Sequence, residues 1–507
     1  MDGPTRTPED RSMTDASARG AAKGAADGER GVAAPFAALL LAVLSFSLMQ
    51  TMVVPALPDL RREFHASPTG VSWLLSSFLL TSSVATALLG RVGDMFGKRR
   101  VLIVSLAVFA GGTLLAALSG SLALLITARA VQGVGAAAFP LAFGIVREQF
   151  PRERVPVAIG LISSTFGIGF GVGLVLPGPI VDALGWHWIF WTGLIVVLAG
   201  IAAVAAFVRE SPVRSPGRVD WAGAVLLSAG VTALLVAISQ GRSWGWSSGR
   251  TIGLFLAAAG LLVVFTYAET KVRAPLVDIG LLRRPAMLSS HLTALIVGFG
   301  MYGAFTLVPL LAQTPSRAGY GFDASVTASG LLMVPMAATM LVAGPLAGRM
   351  GAAVGWKLPL VLACLTGVLG FLVYATAHDT EWAMYAGSAV LGVGVGFAFA
   401  ALANVVVSAV DASRTGEATG INTIMRTVGG SLGAQIAASV VASGTVPGTR
   451  FPAESGFTAA FVMSAIALAL AALAALAGPG ALWRPAASAS PGPHPDQSLD
   501  QEAGHHA

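Results

Sequence analysis

Asp94 lies in the run Gly90-Arg91-Val92-Gly93-Asp94-Met95-Phe96-Gly97-Lys98-Arg99-Arg100, one carboxylate among four basic side chains. A fixed anion of this kind can accept hydrogen bonds from the exposed N–H groups at a helix N-terminus, where the helix dipole favours it. The alternative is a solvated loop whose charges only orient the chain. Arg129, His291 and Arg426 differ, because each is embedded in a long apolar run. A charge in hydrocarbon costs at least ~2.5–3.5 kcal/mol, so such a residue faces other protein and has a task. For Arg129 the competing task is structural hydrogen bonding, and for Arg426 it is snorkelling to a nearby surface. His291 has a place at headgroup level as its competing reading, although histidine is also the side chain that exchanges protons near physiological pH. Gln132, three residues after Arg129, and Gln50, Asn404, Asn422 and Gln435 add hydrogen-bonding groups to apolar stretches. Gln50, Arg129, Gln132, His291, Asn404, Asn422 and Arg426 are the candidates for a central cavity or proton relay.

Other chemistries are missing. No stretch reads GxxxxGK followed by Ser or Thr, so there is no nucleotide-binding P-loop. Neither metal-ligand spacing nor a nucleophile–base arrangement occurs. These absences argue against an enzyme, a resident cofactor or a metal site. An ion gradient, or the substrate's own gradient, is left as the energy source for moving a small molecule.

The elements that must position these residues follow from composition. The chain has 507 residues, 55% hydrophobic and 11% charged, with a mean hydropathy of +0.76. Such a chain takes the lipid bilayer as its solvent. Its 61 glycines are spread through the apolar runs, which suits helices packing closely in lipid and argues against a β-barrel. At about twenty apolar residues per crossing, the chain predicts fourteen transmembrane helices between residues 34 and 483. Ser119-Gly120-Ser121 and Gly185-Trp186-His187 serve as tight turns after the third and fifth. With the amino terminus in the cytoplasm, 23 of the 31 Lys and Arg lie inside, 6 outside and 2 within spans. That bias places both termini of a multi-pass protein in the cytoplasm and makes the basic clusters topogenic, with no role in nucleic-acid binding. Residues 1–33 and 484–507 read as disordered cytoplasmic tails, neither a signal peptide. The single cysteine, Cys364, reads as a small packing residue.

A weaker copy of the Asp94 run, Gly344-Pro345-Leu346-Ala347-Gly348-Arg349-Met350-Gly351, keeps the seven-residue spacing of its outer glycines. If the two are equivalent, helices one to six match helices nine to fourteen. Residues 34–208 and 285–483 are then two six-helix bundles, with 209–284 an inserted helix pair and its linkers. The Asp94 run, Arg129-Ala130-Val131-Gln132-Gly133-Val134-Gly135, Pro216-Gly217-Arg218-Val219-Asp220-Trp221-Ala222-Gly223 and Pro275-Leu276-Val277-Asp278 resemble the signatures of the major facilitator superfamily, fourteen-helix drug:proton antiporter branch. The resemblance implies an all-α membrane fold. It also implies a conformational switch at Gly90, Asp94, Gly97, Arg99 and Arg100, with Asp94 facing the start of helix thirteen near Gly416–Gly420. The glycines Gly167, Gly169, Gly171, Gly173 and Gly178, with Pro177, are similar to the antiporter element of helix five. The proline has shifted from its usual place, and Met49 stands where the branch carries an Asp in helix one.

The expected function is secondary active export of small amphipathic drugs or secondary metabolites by alternating access, in exchange for protons, from a monomer in a bacterial inner membrane. Proton-coupled uptake, or facilitated passage of a small metabolite, is the alternative. No expected span contains Asp or Glu, which favours neutral, zwitterionic or anionic substrates over cations. Proton carriers are then sought at Asp59, Asp94, Glu148, Asp182, Glu417 or His291. The excess of Arg over Lys, 27 to 4, with abundant Ala and Gly, suggests a GC-rich bacterial genome.

Overall fold

A computed structural model describes residues 32–214, 220–272, 275–446, 449 and 451–477. The two expected tails lie almost wholly outside them. The chain begins with α1 (Val32–Thr51), α2 (Val53–Glu63), α3 (Pro68–Phe96) and α4 (Lys98–Ala117). α5 (Leu122–Gln132) continues through a 3₁₀ stretch, Gly133–Ala137, into α6 (Ala138–Gln149). α7 (Val155–Val175) and α8 (Pro177–Leu184) share one span broken at Leu176, because Pro177 has no N–H to continue the ladder. Next come α9 (His187–Phe207), α10 (Trp221–Trp244), α11 (Gly249–Glu269), α12 (Ile279–Leu282), α13 (Pro285–Ala312) and α14 (Val326–Leu331). α15 (Val334–Val354), α16 (Lys357–Ala377), α17 (Glu381–Ala409), α18 (Thr415–Val441) and α19 (Glu454–Ala477) complete it.

Several helices start where a side chain takes an orphan N–H, and some stop where glycine turns the chain. Ser67, Ser121, Asp220, Ser248, Ser325 and Thr380 each accept from the amide three residues on. Gly97 and Gly185 have φ of +109° and +89°, which side-chain-bearing residues rarely adopt. These two glycines make the short joins between α3 and α4 and between α8 and α9.

Among the described residues, thirteen helices are long and apolar enough to cross a membrane. The expected span missing from these, the thirteenth, coincides with α18, which is long enough but carries Glu417, Asn422, Arg426 and Gln435. The helices also outrun the apolar windows. α3 extends to Phe96, α6 to Gln149, and α11 includes Glu269. The expectation that spans hold no carboxylate therefore applies to their middles only. Apolar length measures hydrocarbon thickness, whereas backbone hydrogen bonding carries a helix on past it.

The chain divides into two compact units. One comprises residues up to Pro151, Ile168–Val277 and Ala412–Ile424; the other Arg152–Gly167, Asp278–Asp411 and the residues from Met425. In the first unit, α1 packs on the glycine ridge of α7: Cβ atoms added at Gly169 and Gly173 would lie 2.3 Å from Ser47 Cβ and 2.0 Å from Thr51 Oγ1. Thr51 Oγ1 also donates to the Gly169 carbonyl at 3.0 Å. Phe46 fills the interior, stacking on Phe78 with ring centroids 5.4 Å apart and touching Phe109 at 6.1 Å. In the second unit, Gly160 of α7 and Gly344 of α15 approach backbone to backbone, and Gly348 abuts the Pro156 carbonyl. The corresponding packing in the first unit sets Gly90 and Ala87 of α3 against Gly416 and Gly420 of α18. Each copy of the glycine run thus packs on a helix start within its own unit. The positions differ in charge, because Gly348 occupies the place that Asp94 holds in the first copy.

Candidate functional site

The bare faces of Gly90 and Gly416 let α3 meet the first turn of α18. A Cβ on Gly90 would sit 2.4 Å from the Gly416 carbonyl oxygen. At that separation the Asp94 side chain, one helical turn further on, reaches the unpaired amides of α18. Its oxygens accept from Gly416 N at 3.3 Å and Glu417 N at 3.0 Å. The carboxylate is fully buried, so these bonds and its counter-ions replace its hydration. Lys98, also fully buried, stands 3.0 Å away as its partner one turn along.

Lys98 bridges to a second carboxylate. Its Nζ lies 2.5 Å from Glu148 Oε1 at the end of α6, and the other Glu148 oxygen accepts from the Ser211 hydroxyl. Arg91 Nη1 is 3.6 Å from Glu417 Oε2, and Arg147 Nη1 donates to Thr415 Oγ1 at 2.9 Å. The cluster therefore ties α3, α4, α6, the segment after α9 and the start of α18 through buried charges. Arg99 and Arg100 do other work. The Arg99 guanidinium donates to the Ala205 carbonyl at 2.7 Å. The backbone N–H groups of both bind the Glu210 carboxylate, which caps α4 beside Gly97. Lys98, Arg91, Glu148, Glu210 and Ser211 join the candidate switch residues Gly90, Asp94 and Gly97 in this place.

Arg129 forms a second centre, fully buried in the first unit. Nε donates to the Leu74 carbonyl at 3.2 Å; Nη1 donates to the Met49 carbonyl at 3.1 Å and to Gln132 Oε1 at 2.7 Å. Gln132 passes the chain on to Thr113 Oγ1 at 3.0 Å, and the guanidinium lies 4.1 Å from the Phe78 ring centre. Carbonyls, one amide and a ring face thus hold the cation without a carboxylate, and four helices are joined. Nη2 has no hydrogen-bond partner among the described residues. Met49 presses its sulfur on Gly193 of α9. A carboxylate at position 49 would enter that buried packing.

Gln50 is half-buried, and Asn422 is buried in the first unit. In the second unit, Asn404 donates to the Pro156 and Ala400 carbonyls at 3.2 and 2.9 Å. Arg426 lies three turns into α18 with its guanidinium 4.1 Å from the centre of the Phe399 ring. His291, nearly two turns into α13, is buried at 4% exposure. Gly167 packs on Met340, Gly171 is buried, Gly178 is half-buried, and Pro177 opens α8. Asp59 pairs with exposed Arg62, and Asp182 is exposed.

The closeness of α3 and α18 gives a first test. Gly90→Ala puts a methyl group into backbone that cannot yield, so it should lower the melting temperature of the purified protein and cut transport severely. Ala at Gly111, where an added Cβ meets nothing within 4 Å, should change neither.

Apolar helices of membrane-spanning length, with charges buried between them, define a multi-pass membrane protein. The chain belongs to the Major Facilitator Superfamily, whose model matches residues 39–434. An uncharacterised MFS-type transporter of Mycobacterium tuberculosis is 33% identical over 76% of this chain and 56% of its own length. The chain thus spans little more than half of that relative. The multidrug resistance protein Stp of Mycobacterium tuberculosis is 30% identical, over 72% of this chain and 68% of Stp. The tetracenomycin C resistance and export protein of Streptomyces glaucescens is 29% identical, over 76% of this chain and 71% of that one. The fold is shared with the human organic anion transporter MFSD10, at a TM-score of 0.62 and 18% identity, over 88% of this chain and 99% of that one.

Proposed function

We propose that this protein is a secondary active exporter of small amphipathic, antibiotic-like molecules, working by alternating access in exchange for protons. The Asp94 carboxylate on the first turn of α18 carries this reading. A buried anion bound to a helix start holds only while that end of the protein is closed, so it weights one access state over the other. The names of the relatives, multidrug resistance and antibiotic export, support the direction. The Lys and Arg asymmetry supports fourteen spans, α18 among them, with both ends in the cytoplasm of a bacterial inner membrane. In this reading the inserted pair lies at 209–284 between bundles at 34–208 and 285–483, and the unit of function is a monomer.

Carboxylates at helix ends only, with Arg129 and Arg426 deeper, favour neutral or anionic substrates. A unit charge ~8 Å from a cation at an effective dielectric near 20 meets roughly 2 kcal/mol of repulsion, more than tenfold in affinity. The test is accumulation of a compound panel in cells lacking or overexpressing the gene, with and without a protonophore. Overexpression should lower accumulation of a neutral or anionic antibiotic, the protonophore should restore it, and ethidium should be exported poorly. Raised accumulation would indicate uptake, and strong saturable ethidium export would contradict the charge argument. Reporter fusions at residue 215 and at the carboxyl terminus should both read cytoplasmic.

A further inference from the structure

Two motifs flanking the inserted helix pair meet in the first unit around a carboxylate outside the Asp94 cluster. Asp220 caps α10, its Oδ1 accepting from Gly223 N at 2.8 Å. Glu269 ends α11 and is 3% exposed. Its Oε2 accepts from Val277 N at 3.1 Å. Its Oε1 has no hydrogen-bond partner among the described residues. That oxygen and Asp220 Oδ2 converge on the bare Cα of Gly223. A Cβ there would lie 2.2 Å from Glu269 Oε1 and 2.8 Å from Asp220 Oδ2. Glycine leaves the space in which the buried carboxyl group of Glu269 and the half-buried one of Asp220 approach each other.

The charged groups around this pair are few. Arg91 of α3, 7% exposed, is within electrostatic reach of Glu269 and also faces Glu417. Lys271, just past α11, is exposed with its Nζ 5.6 Å from the centre of the Tyr267 ring. One buried cation thus serves two carboxylates, Glu269 and Glu417. Two anions sharing a partly desolvated site repel, and a proton between them turns the repulsion into a hydrogen bond.

We propose that Asp220 and Glu269 form a proton-binding site at the cytoplasmic end of the inserted helix pair. In the loaded state Glu269 Oε1–H donates to Asp220 Oδ2. On release the proton passes to water, and the pair gains one negative charge beside Arg91. Arg91 then divides its attraction between this pair and Glu417, which sits on the same helical turn that Asp94 holds. The inserted pair thereby acts on the Asp94 contact. The link to transport rests on the export reading; the proton site itself does not.

The test is infrared difference spectroscopy of the full-length protein in lipid nanodiscs, titrated from acid to alkaline pH. A protonated-carboxyl band should persist at neutral pH and be lost in Glu269→Gln, which keeps the acceptor for Val277 N–H. In Asp220→Asn, which keeps the cap, the band should titrate at lower pH. The same neutral-pH band in folded Glu269→Gln overturns the proposal. Should that variant fail to fold, the unmodified protein decides. Dicyclohexylcarbodiimide, which attacks protonated carboxyl groups in apolar surroundings, should label Glu269 or Asp220 at neutral pH, and labelling confined to other residues overturns the site. A titrating band in a protein that does not export would overturn the export reading and leave the site standing.

Discussion

Asn in place of Asp94 should leave the protein in the membrane and remove at least about nine-tenths of its transport. The substitution changes volume little and keeps one oxygen to accept from Gly416 N or Glu417 N. What disappears is the charge. Hydrogen bonds to a charged group contribute ~1.5–3 kcal/mol each against ~0.5–1.5 for neutral ones. Two such bonds weakened by about 1 kcal/mol apiece shift the balance of access states more than tenfold, at ~1.4 kcal/mol per factor of ten. Full transport at normal expression would show that the contact is not what sets that balance.

The largest effect on folding is expected at Lys98. Replacing it with Met strands Asp94 and Glu148 as two buried carboxylates without their shared cation. Breaking a buried pair by removing one partner costs about 3–5 kcal/mol, and the whole stability of a domain is only ~5–15 kcal/mol. Thermal unfolding in detergent should show a marked fall in melting temperature and in the yield of monodisperse protein. Adding Glu148→Gln should recover part of the loss, since Asp94 retains the α18 amides while the other stranded charge is gone. Equal stability of wild type and Lys98→Met would mean the pair is solvated. Lys98→Arg should not rescue, because the Lys98 methylenes lie against Gly144, where an added Cβ would come within 2.5 Å of Cε.

The helices were legible because lipid leaves so few choices: apolar length marks almost every one. The family was legible in the spacing of the Asp94 run and in the Arg129–Gln132 element. Helix ends were not, since hydropathy fades at the headgroups while α3 and α6 continue, and that hid Glu148 and Glu269 from any count of residues within spans. Lys98 looked like one of four equivalent topogenic cations. Its distinction is positional: it follows Asp94 by four residues across the Gly97 turn, so its stem enters the protein while the Arg100 side chain stays at the surface, near Glu210. Glu417 stood at the edge of its apolar window, and Thr415, just before it, carried no signal; both form the first turn of α18. Met49 shows the opposite case, a departure from the family pattern that is visible in sequence while its packing on Gly193 is not.

Thiol accessibility at position 415 tests the central claim most directly. Thr415 is fully buried beside Arg147 in the Asp94 cluster, and Cys364, the only native cysteine, can be replaced by Ser. In that background Thr415→Cys should resist a membrane-impermeant maleimide applied from the cytoplasmic side, and adding Asp94→Asn should make it react readily. Equal protection with and without Asp94, or equal reactivity, would contradict a gate held shut by that carboxylate.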